Sequence, residues 1–463
     1  MRICLLRAAP GHGDDPRYSD IGLFTDRHTF EQRFINEDTV KKDLNLVAAE
    51  SFDLYFNFLH WAWCARNHQA AAVLAAKYIE YLNIPVIGVP SQILERCVLD
   101  EDNSFVVGNV NASATTSESK KDPTVDTETW YTCTTIELDN TPITLPPVSF
   151  HTTGELMTSS PSPLLSKEIY KLVEDAFYAN DMHGTFWCTS FIRITATNKP
   201  ILSGISPMSK TMFPFTASGR NLAAEAYTIR KFFPGSYRSL IHCLIASCCL
   251  KRNRGAETFR KVGREYDRLA PLYDKATVGI YADGVQTIIK KYNFDGVVLD
   301  LASGTGIVAR LHGNPNNKTK FIGMDVSSQM RAECMKNRLY DSVILGPMQR
   351  LLITYNSPID HIVCISAFHF LDINELYLVL SRVFQLARLS VTFTIDEIPK
   401  SYEKIQRDKS RDYMCGFNHS DEMDRYGAPV GWKLVDRWRY VGWKVPTAGA
   451  EEVYSNIFRF EAV

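Results

Sequence analysis

Long apolar runs, an excess of charge of either sign and closely paired cysteines are all missing from this 463-residue chain. The longest apolar stretch, Ile241 to Leu250, is about half of what a membrane-spanning helix needs, so no membrane partner is expected. With 51 basic and 52 acidic residues the formal net charge is −1, which leaves no global field to draw in nucleic acid or an anionic surface. The 11 cysteines are scattered without any C-x-x-C of zinc spacing, and they read as reduced thiols of a cytoplasmic protein with no metal site. The opening Met1-Arg2-Ile3-Cys4-Leu5-Leu6 runs into Pro10-Gly11 too soon for a secretory signal and reads as a strand. No internal repeat is evident. An apolar content of 45% over this length is enough for sizeable cores in two or three domains.

Against that plain background one stretch stands out. Val297-Val298-Leu299-Asp300-Leu301 is a buried-strand pattern, and Ala302-Ser303-Gly304-Thr305-Gly306 after it is a turn that lets backbone approach a ligand without a Cβ clash. The helix expected from Ile307 to Leu311 offers unpaired N–H groups at its start. A second strand, Lys320 to Asp325, ends in an acid about twenty residues beyond the turn, the place where Rossmann-like domains hold ribose hydroxyls.

Together these residues resemble the S-adenosylmethionine (SAM) pocket of class I methyltransferases, whose first motif reads roughly L-D-x-G-x-G-T-G. Ala302 and Ser303 stand where that family usually has Gly and Cys, whereas Gly304 and Gly306 are kept. The resemblance spans about residues 255–463 and implies SAM as cofactor. It sets Asp300 and the Gly304–Gly306 turn at the amino-acid end of SAM and Asp325 on its ribose. Where the family often places an acid near the adenine amine, this chain has Leu345-Gly346-Pro347-Met348, so Val326, Met330 and Met348 become candidates for apolar contacts to adenine.

Upstream, Tyr266-Asp267-Arg268-Leu269-Ala270-Pro271-Leu272-Tyr273-Asp274 is similar to the lid helix of many small-molecule methyltransferases, which makes Tyr266 and Tyr273 candidates for covering the sulfonium. Aromatics at this spacing also share one helix face and pack inward in ordinary proteins. A fourth strand from Ile359 leads to Ser366-Ala367-Phe368-His369-Phe370-Leu371, where Ser366 is a cofactor contact candidate and His369 is a group able to take a proton near neutral pH. Equally, His369 is read as packing or capping the next helix, since methyl transfer can proceed on proximity and orientation alone. Asp396-Glu397-Ile398-Pro399 and Met414 to Ser420 are candidate acceptor loops. The expected fold is α/β: a Rossmann-like seven-stranded mixed sheet closed by an antiparallel pair near Gly431–Arg439 and Ser455–Phe460.

The first half, residues 1–250, alternates strand and helix patterns in the manner of a small α/β module, with a polar loop near 103–128 and a loose stretch from Thr152 to Pro163. Asp53 to Phe58, Leu82 to Gly88, Trp187 to Phe191 and Lys199 to Pro207 resemble, in order, blocks of the D-alanine–D-alanine ligase branch of the ATP-grasp superfamily. That resemblance puts Ser190, Gly204 and Ser206 where the family has magnesium ligands, and neutral groups there do not hold a hard divalent cation. The expectation is a pseudo-ATP-grasp domain that no longer works as a ligase. Lys251 to Gly255 reads as a solvated basic linker to the domain of residues 251–463. The expected function is SAM-dependent methylation of a small molecule, with an amino-acid or carboxylate-like part suggested by the ligase resemblance and a homo-oligomer possible. Other outcomes open to the same pocket are aminocarboxypropyl transfer, cyclisation of SAM, or a regulatory scaffold that binds SAM.

Overall fold

The computed structural model describes residues 1–9, 21–64, 68–99, 105–107, 129–150, 161–208, 224–277, 279–314, 317–445 and 451–463. They form two compact units, Met1–Arg252 and Asn253–Val463.

In the first unit β1 (Arg2–Ala8), β2 (Thr29–Ile35), β3 (Leu54–Asn57) and β4 (Val86–Ile87) make a parallel sheet in the order β2-β1-β3-β4. β1 is buried at every position after Arg2, as an inner strand covered on both faces must be, and this is why it reads as an unbroken apolar run. The helix Gln69–Leu82 buries Ala72, Ala75, Ala76 and Ile79 along one face and ends at Asn83 in the left-handed region (φ 51°). β5 (Cys97–Leu99) pairs antiparallel with β6 (Phe105–Val107), so a short strand lies inside the segment expected as a loop; the remainder of 103–128 falls outside the described residues, as does most of the loose stretch before Pro163.

A second, antiparallel sheet has the order β11-β10-β7-β8, from β7 (Trp130–Leu138), β8 (Thr141–Thr144), β10 (Trp187–Ile194) and β11 (Pro200–Pro207), with β9 (Val148–Phe150) also on β7. Its register alters one expectation. Thr189 opposes Ser206, Phe191 opposes Gly204 and Ser190 opposes Ile205. Opposed residues share a face and neighbours alternate, so Ser190 points away from the side that carries Gly204 and Ser206. The three positions do not converge as a metal set would; Thr189 and Phe191 are the β10 residues on the shared side. The buried hydroxyls of Thr132, Thr134 and Thr189 on that side have no hydrogen-bond partner among the described residues.

The basic run at the end of this unit is not simply solvated. Lys251 is the last residue of the helix Ser236–Lys251, and its Nζ lies 3.2 Å from Oε1 of Glu137, which is fully buried. Arg252 donates to the carbonyls of Asn83 and Ile84 at 2.9 and 2.7 Å, closing the end of the Gln69–Leu82 helix. A buried carboxylate needs a counter-charge, and Lys251 supplies it.

The second unit is built on seven strands in the order β14-β13-β12-β15-β16-β18-β17. β12 (Gly296–Leu301), β13 (Thr319–Asp325), β14 (Tyr340–Leu345), β15 (Ile359–Cys364) and β16 (Ala387–Asp396) are parallel, and β18 (Glu452–Ala462) and β17 (Trp432–Lys444) close the sheet antiparallel. Alternation along β12 and β15 sends Val298 and Val363 into one core with the helix Ile280–Lys291, and Leu299 and Ile362 into another with the helix Ile373–Leu386. After β12 the chain builds β13 and β14 on one side and then crosses to β15 on the other. The sheet therefore has its switch point between β12 and β15, and a crevice opens beyond their carboxyl ends.

Candidate functional site

A cavity occupies this crevice, and its lining includes Tyr266, Tyr273, Asp300, Ala302, Ser303, Gly304, Asp325, Val326, Met330, Met348 and Ser366. The structure thus brings together eleven of the thirteen residues singled out from the sequence. Gly306 and His369 are not in the lining.

The glycine turn is held from β13. Asp325 Oδ2 accepts the Gly304 N–H at 2.8 Å and its Oδ1 accepts the Ser327 N–H at 2.8 Å, so one carboxylate ties the turn to the start of the helix Ser328–Lys336. Burial raises Asp325 to about 6, with those two N–H groups pulling it back. Asp300, at the end of β12, accepts the Tyr340 hydroxyl at 2.5 Å, and burial lifts it to about 7 against that bond. Ala302 takes φ +56°, a left-handed conformation that costs an L side chain about 1–2 kcal/mol and explains why the resembling family has Gly there. Gly306 has a packing role: at φ +85° it starts the helix Ile307–His312, and a Cβ on it would sit 3.0 Å from Cys334 Sγ and Tyr340 Cε2.

Over the turn passes the helix Ala256–Ala276. The Tyr273 ring comes within 4.0 Å of where a Cβ of Gly304 would be, and Tyr266 meets Tyr273 and Phe370 edge-on with centroids 6.2 and 5.9 Å apart. Burial raises both phenols, Tyr273 to about 12, so both rings remain neutral. The acids beside these tyrosines matter as much as the rings, which sequence reasoning missed. Asp267 Oδ1 accepts Ser327 Oγ (2.7 Å), Ser328 Oγ (3.2 Å) and the Gln329 N–H (2.9 Å). Asp274 accepts Thr305 Oγ1 at 2.5 Å and Arg310 at 2.7 and 3.0 Å. The repeated Tyr-Asp pair was the available signal: at each repeat the ring covers the cavity and the acid fastens the helix.

His369 sits in the short helix Phe368–Phe370, buried but off the cavity. Its Nδ1 lies 3.1 Å from Asp396 Oδ2, an ion-pair distance without hydrogen-bond alignment. Asp396, at the end of β16, also takes Ser455 Oγ (2.6 Å), Trp443 Nε1 (3.1 Å) and Ser366 Oγ (3.4 Å). Burial alone would raise this carboxyl, yet the adjacent His369 ring, together with the Ser455 and Trp443 donors, holds it below the ordinary value. The loop beyond β15 is thereby anchored, and Ser366, at φ +52°, lines the cavity. Of the loops expected near an acceptor, Asp396 and Met414 to Ser420 are not in the lining either.

Among the described lining residues there are two carboxylates and no Lys, Arg or His. Two lining side chains carry polar atoms without a partner among the described residues, Ser303 Oγ and Gln349 Oε1, in residues 3% and 1% exposed. A pocket of this charge and donor–acceptor content accommodates a polar cation better than an anion.

Residues 298–389 match the family model of the methyltransferase domain. The second unit thus carries a methyltransferase domain. Among solved structures, the chain is similar to the magnesium protoporphyrin IX methyltransferase of Synechocystis PCC 6803 with bound S-adenosylhomocysteine (SAH), at 14% identity and TM-score 0.35, covering 44% of this chain and 100% of that one. A SAM-dependent methyltransferase from Clostridium acetobutylicum ATCC 824 is similar at 15% identity and TM-score 0.30, over 42% and 98% of the two chains. The plantazolicin methyltransferase BamL, solved with a desmethyl substrate analogue and SAH, is similar at 13% identity and TM-score 0.32, over 44% and 90%. No curated protein matches the chain. No helix among the described residues is long and apolar enough to cross a membrane.

Proposed function

We propose that the second unit methylates a small-molecule acceptor, and that its cavity holds SAM along the line from Ser303 through Asp325 to Met348. The observation that carries this reading is the single carboxylate, Asp325, that closes the glycine turn while lining the cavity with its remaining acceptor capacity. SAM supplies a methyl group activated by the adjoining sulfonium. Asp300 and Ser303 face its amino-acid end, Asp325 its ribose, and Val326, Met330 and Met348 the faces of its adenine. Tyr266 and Tyr273 line the same cavity and would cover the sulfonium and keep water out. His369, placed behind the cavity wall on Asp396, serves to position the loop rather than to take a proton, so rate enhancement rests on orientation. With two acids and no cation in the described lining, the acceptor is uncharged or cationic at its reacting end, which favours an amine or hydroxyl over the carboxylate suggested by the ligase resemblance.

The first unit, in this reading, is a non-catalytic module of ATP-grasp type. Its support is the residue content at Ser190, Gly204 and Ser206 and their divided faces.

The test of the cofactor site is Asp325→Ala. SAM affinity measured by calorimetry is expected to fall by about 1–3 kcal/mol, the scale of hydrogen bonds to a charged group. An unchanged affinity removes Asp325 from the site. Mass spectrometry of cell extract incubated with SAM and the protein then identifies the acceptor by its gain of one methyl group.

A further inference from the structure

The cavity lining also includes Gly346, Pro347, Met348 and Gln349, a stretch that holds no acid. Gln349 is 1% exposed and lines the cavity. Its Nε2 donates to Glu375 Oε1 at 3.2 Å, while its Oε1 has no partner among the described residues. Glu375 is itself held in place: Oε2 accepts the Asp372 N–H at 3.0 Å as half of the capping box that starts the helix Ile373–Leu386. The amide is thus oriented. A carboxylate that only accepts takes the nitrogen end, and the oxygen end is left for something that donates. An unpaired buried carbonyl is costly, and a well-placed N–H donor in a ligand would recover that cost.

We propose that Gln349 is the specificity residue for the purine of the cofactor, its Oε1 accepting a hydrogen bond from the exocyclic adenine amine, with Glu375 as the positioning residue that fixes the amide the right way round. The inference rests on the reading of the cavity as a SAM site. Gln349 performs with a neutral amide the task for which an acid is absent at Leu345 to Met348. Oxygen orientation confers selectivity: an amine donates to Oε1, whereas a purine bearing a ring carbonyl at the same carbon sets oxygen against oxygen and leaves Gln349 unpaired. Among the described residues the Glu375 carboxylate bonds the Asp372 backbone and Gln349, so its loss frees the amide to turn over.

The experiment compares binding of SAH with binding of S-inosylhomocysteine, in which a carbonyl replaces the amine, to the full chain by calorimetry. It is run at about pH 9, because burial beside Asp372 raises the Glu375 carboxyl and the argument concerns its ionised form. The unaltered protein is expected to prefer SAH by roughly tenfold or more. Gln349→Met should bring the preference to near unity, and Glu375→Gln, which leaves Gln349 in place but lets either of its ends pair, should reduce it by a smaller factor. A ratio of affinities does not depend on the fraction of protein folded, so partial destabilisation of a variant leaves the result readable. A preference that survives Gln349→Met overturns the proposal while leaving the cofactor reading intact. Failure of both ligands to bind the unaltered protein overturns the two together.

Discussion

At the scale of single residues the site is dominated by two buried acids that are both held above their ordinary range, Asp300 to about 7 and Asp325 to about 6, from 3.8. A carboxyl whose pKa is higher folded than unfolded binds protons preferentially in the native state. Its ionisation therefore costs stability as pH rises from about 4 through those values, and the ligand-free unit should lose thermal stability across that window. A cation entering the cavity reverses the balance by favouring the ionised forms. SAM affinity is accordingly expected to rise between about pH 5.5 and 8, and binding near pH 6.5 to release protons, read as a buffer-dependent heat in calorimetry. SAH, which lacks the sulfonium charge, should release fewer. Proton uptake on SAM binding, or an affinity flat in pH, would mean that neither acid meets the cation.

Elements show how the lid is attached. The helix Ala256–Ala276 carries Pro271 in its interior and has most of its length on the surface, so its own propensity does not hold it in place. Asp267 and Asp274 fasten it at two points, to the start of the helix Ser328–Lys336 and to the glycine turn with its following helix. Asp267→Ala removes three acceptor contacts from one of these points. SAM is expected to bind roughly fivefold or more weakly, and hydrogen exchange over residues 256–276 to quicken. If exchange is unchanged, the tyrosines and not the acids keep the lid closed. The two antiparallel closing strands, expected near Gly431–Arg439 and Ser455–Phe460 from the resemblance, run several residues longer, because β17 and β18 pair along almost their entire length.

For the whole molecule, the divided faces of Ser190 and Ser206 bear on what the first unit binds. Magnesium with ATP is expected to leave the thermal transitions of the full chain unmoved. A ligand at about a hundred times its dissociation constant would stabilise by about 2.7 kcal/mol, a shift too large to overlook. A strong magnesium-dependent shift would show that other residues of this unit hold the metal, and the non-catalytic reading would fall.

What the sequence determined by itself is the part of the protein written in local pattern. The run from Val297 to Gly306 specifies a strand and a turn because burial on both faces demands continuous apolar residues and a left-handed turn demands small ones. The distance to Asp325 specifies a second strand ending at the same edge. Even the departure at Ala302 was visible, although its φ of +56° was not. Tertiary structure decided everything that depends on which faces meet. It set His369 against Asp396 and outside the cavity lining, where the sequence had left open a proton acceptor or a packing residue. The β10–β11 register put Ser190 and Ser206 on opposite sides, a matter of one residue in pairing that flips a side chain across the sheet and leaves no trace in composition. Gln349, a lining residue, is distinguished by Glu375, far along the chain, which takes its nitrogen and leaves its oxygen without a partner among the described residues. Local periodicity is a property of neighbours in sequence; hydrogen-bond satisfaction is a property of neighbours in space.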